Sequence, residues 1–259
     1  IGNNIPIASK TNLDFMNEDE KDDFIKNTTQ AIVIHTACHE LLGHGSGKLL
    51  RQLDDGSFNF EYGKFISPLT NQPIDTYYKL NETYDIKFGE ICRSYEECRA
   101  DMNGLFFGKM IKVGKIFGIE SEEELKKIVH TKWNIHIRKG ILGLKFYNDI
   151  SKKWGQAHTQ GAYVFASYLL KNQNKEKPIL KIEFNNDETN FVIIVNKNEL
   201  VENGHKLVSD MLTKLNVWKA SGNINAAKDF YNEHSYVDET MLKIRKIVIE
   251  KMPERALTI

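Results

Sequence analysis

The chain has 259 residues, 41% hydrophobic and 27% charged, with 35 Lys+Arg against 35 Asp+Glu and a formal net charge of zero. That length supplies a sizeable core, and the balanced charge argues against a nucleic-acid protein, which carries a basic excess or stripe. The longest apolar run, Phe191-Val-Ile-Ile-Val195, is strand-sized and far below the roughly 18–20 residues of a membrane span.

No charged n-region followed by an apolar h-region marks the start. The chain opens at Ile1 without a Met, so a piece of a longer protein is expected. The first helical pattern covers Phe24 to His44, with Asn27 or Thr28 as cap and Ile32, Leu41 and Leu42 as buried positions; it stops at Gly45-Ser-Gly47. Residues 53–84, rich in Asp, Gly, Pro and Asn, read as loop with at most one short hairpin. Helix returns from Ser94 to Met110. Ser121-Glu-Glu-Glu124 is a capping box opening a helix that runs to about Asp149, with a break near Gly140. Gln156 to Leu170 is an amphipathic helix. The runs 179–184 and 191–195 flank a polar turn as a β-hairpin. Leu200–Trp218, Ile224–Glu233 and Val237–Lys251 close the chain as helices. The fold class is mostly α with a small β-hairpin element, taken as a single unit over residues 1–259.

Three cysteines, Cys38, Cys92 and Cys98, are too few and odd in number for a disulfide framework, which points to a reducing compartment with the cytoplasm as default address.

The chemistry concentrates in His35-Thr-Ala-Cys-His39-Glu40-Leu41-Leu42-Gly43-His44. Two histidines flanking a glutamate on a helix supply neutral nitrogen ligands to zinc and a carboxylate to activate water. The usual spacing places the histidines at i and i+4; here it is one residue longer. Five steps of about 100° leave the two rings about 140° apart on a regular helix, so the site needs a π-type bulge, most easily at Gly43. His35 and His39 form an alternative, undistorted i, i+4 pair, although Glu40 and the glycine-terminated end make sense only with His44 included. An ordinary half-buried polar helix is the plain competing reading. A phosphate loop at Gly43–Lys48 fails on glycine spacing and on Leu49.

A third ligand is expected in Ser94-Tyr-Glu96-Glu97-Cys98-Arg99-Ala100-Asp101. Glu97 and Asp101 share a helix face, so one binds metal while the other holds a histidine ring. Glu96 is directed to the other histidine or to a substrate amine. The competing reading is a solvated acidic face paired with Arg99.

His39-Glu-Leu-Leu-Gly-His44 with Glu96-Glu-Cys-Arg-Ala-Asp101 resembles the dipeptidyl peptidase III family of zinc exopeptidases, whose signatures are His-Glu-x-x-Gly-His and Glu-Glu-x-Arg-Ala-Glu/Asp. The likeness extends through Gly43–Lys48, Gln156-Ala-His158 and Ser221–Tyr231 and spans nearly the whole chain. It implies one zinc per chain on His39, His44 and Glu97, Glu40 as general base, and Glu96 and Asp101 as carboxylates behind the ligands. It further implies that His158 stabilises the transition state and that Arg255 contacts the bound peptide. Family members are longer and two-lobed, so the chain is expected to be the zinc-bearing catalytic lobe, acting on short peptides and releasing dipeptides from their N-termini. Two departures stand out: Ala162 where the family often carries a basic residue, and Asp101 as the shorter acid.

From the residues alone, His158 with Gly161, Ala162 and Phe165 forms a face whose small side chains admit a ligand. Trp133, Trp154 and Trp218 are expected in the core, and His130, His136, His205 and His234 as structural or exposed. Cys38 and Cys98, beside His39 and Glu97, are expected to line the site and to make it sensitive to oxidation. The rival function is a zinc-holding peptide- or partner-binding module without efficient turnover. The intact Glu40 argues for an enzyme.

Overall fold

A computed structural model of the protein describes residues 13–252; Arg255 lies outside the described residues. Helix α1, Lys21–Cys38, runs directly into a π-helical turn, His39–His44. It begins before the expected caps, and Asn27 and Thr28 instead turn their side chains back onto the carbonyls of Asp23 and Phe24, 2.8 and 2.6 Å away. Residues 45–83 hold no helix or strand, only single bridges such as Arg51↔Tyr78 and Ile66↔Pro73, so the stretch is loop, as its composition indicates.

Helices α2 (Tyr84–Phe88), α3 (Cys92–Phe107), α4 (Ile111–Ile116) and α5 (Glu122–Leu142) follow. The Ser121 hydroxyl accepts from the Glu124 N–H at 3.1 Å, as the capping box requires. A 3-10 turn, Gly143–Phe146, and a two-residue pair, β1 (Tyr147–Asn148) with β2 (Lys153–Trp154), replace the far end of the expected helix. Helix α6 (Ala157–Asn172) is capped by the Gln156 side chain. The hairpin β3 (Leu180–Phe184) with β4 (Phe191–Val195) pairs Leu180 with Val195 and Phe184 with Phe191. A short α7 (Lys197–Glu199) and a second π turn (Leu200–Gly204) lead into α8 (His205–Ser221), α9 (Ile224–Ser235) and α10 (Glu239–Lys251).

The core is a helical stack in which α3 packs against α1, α6 and α8, and α5 lies between α1 and α6. Tyr95, Met102, Trp133, Ile137, Phe165 and Tyr231 fill it. Two of the buried tyrosines donate their hydroxyls to backbone, Tyr95 to Leu215 O at 3.0 Å and Tyr163 to Tyr236 O at 2.9 Å. Trp133 is buried as expected, whereas Trp154 and Trp218 are only half-buried. Among the described residues, no helix is long and apolar enough to cross a membrane.

Candidate metal centre

In the π turn, the Gly45 N–H donates to Glu40 O at 3.0 Å, a five-residue step. The wider turn brings residues five apart onto one face. The rings of His39 and His44 therefore meet edge to face, 4.7 Å between centroids. The same widening turns Leu41 and Leu42 outward, 73% and 38% exposed, where buried positions had been expected. The turn lies hard against α3. A Cβ on Gly43 would sit 2.8 Å from both Cα and Cβ of Ala100, so this close approach requires a glycine.

From α3, Glu97 meets both histidines, its Oε2 3.3 Å from His39 Nε2 and 3.6 Å from His44 Nε2. His39, His44 and Glu97 each offer a ligand atom within 4.8 Å of the others. Behind them, Asp101 Oδ1 lies 2.9 Å from His39 Nδ1 and Glu96 Oε1 lies 3.2 Å from His44 Nδ1. A carboxylate only accepts, so each Nδ1 carries the hydrogen. With Nδ1 protonated, the Nε2 lone pairs are the ones available to a metal.

The donor set fits a tetrahedral cation by its spacing. Two donors each about 2.0–2.1 Å from a shared zinc lie roughly 3.3–3.4 Å apart, close to the 3.3 and 3.6 Å observed. Glu97 Oε2 is also buried without a hydrogen bond, although a third ring nitrogen, His158 Nδ1, stands 3.1 Å away. An oxygen ringed by three imidazole nitrogens suits a cation ligand.

The electrostatics follow from the same neighbours. Burial alone would raise the Glu97 carboxyl, but His158, His39 and His44 outweigh it and hold it far below the usual carboxylate range. Burial opposes protonation of His39, yet Asp101 and Glu97 on its two sides raise it to about 9. For Glu96, burial is overcome by the Arg99 guanidinium and the Lys219 ammonium, which keep it ionised.

Glu40 stands exposed on the turn beside His39. His158, on the first turn of α6, is half exposed and faces Glu97. Gly161, Ala162 and Phe165, expected to admit a ligand, are instead buried against neighbouring helices, Gly161 on Cys98 and Ala162 under Gly140. Ala162 thus has no access to a substrate. Cys38 and Cys98 are 3% and 0% exposed, and burial pushes the Cys98 thiol up. Neither lines an accessible site, which removes the expected route to oxidation. Cys92, half-buried, is free as well.

One contributor escaped the sequence reading. Arg99 is fully buried rather than on a solvated face. It donates to Gly43 O at 2.7 Å, to Ser46 O at 3.3 Å and to both oxygens of Glu96, riveting the π turn to α3. His35, weighed as a metal ligand, shares the face of His39 and places Nε2 3.0 Å from Asp101 Oδ1; His35, His39 and Asp101 form a second group, all three buried, whose ligand atoms lie within 4.8 Å of one another. The Arg-Ala step of the second motif was the one available signal for Arg99; its target carbonyl could not be read from a linear sequence.

Comparison with known proteins gives a consistent picture. A family model described as peptidase family M49 matches residues 1–259. The chain is similar to dipeptidyl peptidase 3 of Nematostella vectensis, 34% identical over 242 residues, covering 93% of this chain and 33% of that protein. It is 33% identical to dipeptidyl peptidase 3 of Dictyostelium discoideum over 262 residues (98% and 37%) and 31% identical to that of Homo sapiens over 266 residues (100% and 36%). It therefore spans about a third of the length of the curated relatives it matches. Among solved structures, DPP III from Caldithrix abyssi matches with a TM-score of 0.56 at 19% identity, over 92% of this chain and 35% of that one, a likeness of fold.

Proposed function

Because this chain belongs to peptidase family M49, we propose that it carries the zinc centre of a dipeptidyl aminopeptidase, with His39, His44 and Glu97 as the ligands and one zinc per chain. Two imidazoles and one carboxylate with an open position suit zinc better than the harder divalent ions. When bound, zinc supplies Lewis-acid polarisation of the scissile carbonyl and acidifies water.

The protein's own groups do the rest. Glu40, exposed beside His39, accepts a proton from the attacking water and delivers it to the departing amine. His158 donates a hydrogen bond to the carbonyl oxygen as negative charge develops there. Glu96 and Asp101 fix the ring planes of His44 and His39 through their Nδ1 atoms. The substrates are short peptides cleaved two residues from the N-terminus, a preference supported by the names of the relatives. Contact of Arg255 with the peptide rests on motif resemblance. The reading includes a reducing, cytoplasmic setting, supported by three free cysteines.

The observation that carries this proposal is the convergence of two Nε2 atoms and one Oε2, each ring backed by a carboxylate. The test is elemental analysis of the purified protein together with hydrolysis of a chromogenic dipeptide amide. About one zinc per chain, and turnover lost by at least about 10²-fold in Glu40→Gln with zinc retained, would support it. Zinc lost in that variant would make Glu40 a ligand and overturn the assigned roles. Stoichiometric zinc with no turnover in wild type would favour a peptide-binding module.

A further inference from the structure

The carboxylate behind His39 is itself held. Asp101 is 3% exposed, and its Oδ1 has two ring nitrogens at hydrogen-bond distance, His39 Nδ1 at 2.9 Å and His35 Nε2 at 3.0 Å. Because a carboxylate only accepts, both nitrogens carry hydrogen, and the two bonds use both lone pairs of that oxygen. The second oxygen, Oδ2, has looser neighbours, Lys139 Nζ at 3.5 Å and His136 Nδ1 at 3.7 Å. The χ2 torsion of an aspartate is broad, so a bond from His39 together with the looser Oδ2 neighbours would hold the carboxylate less firmly than the short bond from His35 does.

We propose that His35 is a positioning residue for the metal site: its Nε2–H pins Asp101 Oδ1 and thereby fixes the direction in which His39 Nε2 points. This rests on the reading of His39 as a metal ligand. Two independent features support it. His35 stands one helical turn before His39 on the same face of α1, so the helix fixes the separation of the two donors. Facing it, α3 has Gly104, where a Cβ would collide with the His35 ring at Cε1 and Nδ1; without that glycine the ring could not lie against α3 and reach Asp101. His35 Nδ1 is buried with no partner, as expected for a neutral ring whose single hydrogen is on Nε2.

The test compares His35→Phe, which fills the space without donating, with His35→Gln, which keeps an N–H within reach of Asp101. The zinc dissociation constant is read by competition with a chromogenic chelator, and the metal-free melting temperature controls for folding. Second-sphere partners of this kind typically change metal affinity by about 10–100-fold. The expected result is roughly tenfold weaker zinc binding in His35→Phe and recovery to within about threefold of wild type in His35→Gln, with similar melting temperatures. Equal affinity in Phe, Gln and wild type would overturn the proposal, as would a Gln variant no better than Phe.

A second readout needs no metal. Hydrogen-bonded imidazole N–H protons resonate far downfield, and the His39 signal should move in His35→Phe and stay in place in His35→Gln. An unmoved signal in both variants refutes the link even if the protein takes up no zinc. Zinc retained in full by Glu97→Ala would instead refute the ligand assignment and leave the proton signals to decide the role of His35.

Discussion

Substituting Gly43 by alanine tests whether the contact between the π turn and α3 sets the metal geometry. The added Cβ would lie 2.8 Å from Cα and Cβ of Ala100 and 3.2 Å from its carbonyl oxygen. Carbon atoms settle at about 3.5–4.0 Å, so the turn must withdraw by up to about 1 Å. Overpacking of this kind costs about 1–3 kcal/mol. The larger effect should be on metal. The 3.3 and 3.6 Å edges of the proposed ligand set cross that contact, His39 and His44 on one side and Glu97 on the other. Metal–ligand distances tolerate only about 0.2 Å. We expect zinc affinity to fall by about 10²-fold, equivalent to about 2.7 kcal/mol. Chelator competition measures the affinity, and urea unfolding of the metal-free protein measures the strain. Adding Ala100→Gly removes the Cβ half of the clash and should recover part of both losses. Wild-type affinity and stability in Gly43→Ala would show that the site does not depend on this contact.

Glu97→Ala should lower zinc affinity by about 10²-fold or more, and undiminished metal content after dialysis would refute its role as ligand. Arg99→Met removes a fully buried guanidinium that ties Gly43 O, Ser46 O and Glu96 together; a loss of about 3 kcal/mol or more in urea unfolding is expected, and a loss under about 1 kcal/mol would contradict the rivet. His234 is buried against Phe230 and Tyr168, and burial chiefly lowers it to about 4. Its folded value lies below the unfolded one, so its stabilisation is complete above about pH 6.5 and is lost as pH falls from there towards 4. His234→Phe should shrink the difference in unfolding free energy between pH 7 and pH 5 by about 1–2 kcal/mol, and an unchanged difference would refute the assignment.

Local chemistry made much of the fold legible. The Ser121 cap, the 179–195 hairpin and the order of the later helices follow from signals within a few residues, and the structure keeps them. The extra residue between His39 and His44 pointed to the π turn, because five regular helical steps would leave the two rings about 140° apart. What remained hidden depends on partners distant in sequence. Leu41 and Leu42 look apolar enough to bury, but the turn that serves the histidines rotates them outward. Gly161 and Ala162 look like room for a ligand, and the space is taken by α3 and α5. The role of Arg99 lies in a carbonyl across a helix interface. His35 presented the correct spacing for a ligand and uses it to share a carboxylate.

Residues 45–83 separate the two halves of the donor set along the chain while leaving them adjacent in space. That stretch is tied down at its ends, Leu50 N–H to Ala220 O and Tyr78 N–H to Leu50 O at 2.8 Å each, and the Tyr78 hydroxyl to Lys219 O at 2.7 Å. Between those anchors, Gly56 and Gly63 sit in open turns with nothing within 4 Å of a Cβ built on them. Loop-closure entropy rises only logarithmically, so doubling such a loop costs about 0.6 kcal/mol. The segment is therefore a natural splice point: a reporter or affinity module inserted near Gly56 would ride on the surface without straining the helices that hold the histidines and the glutamate.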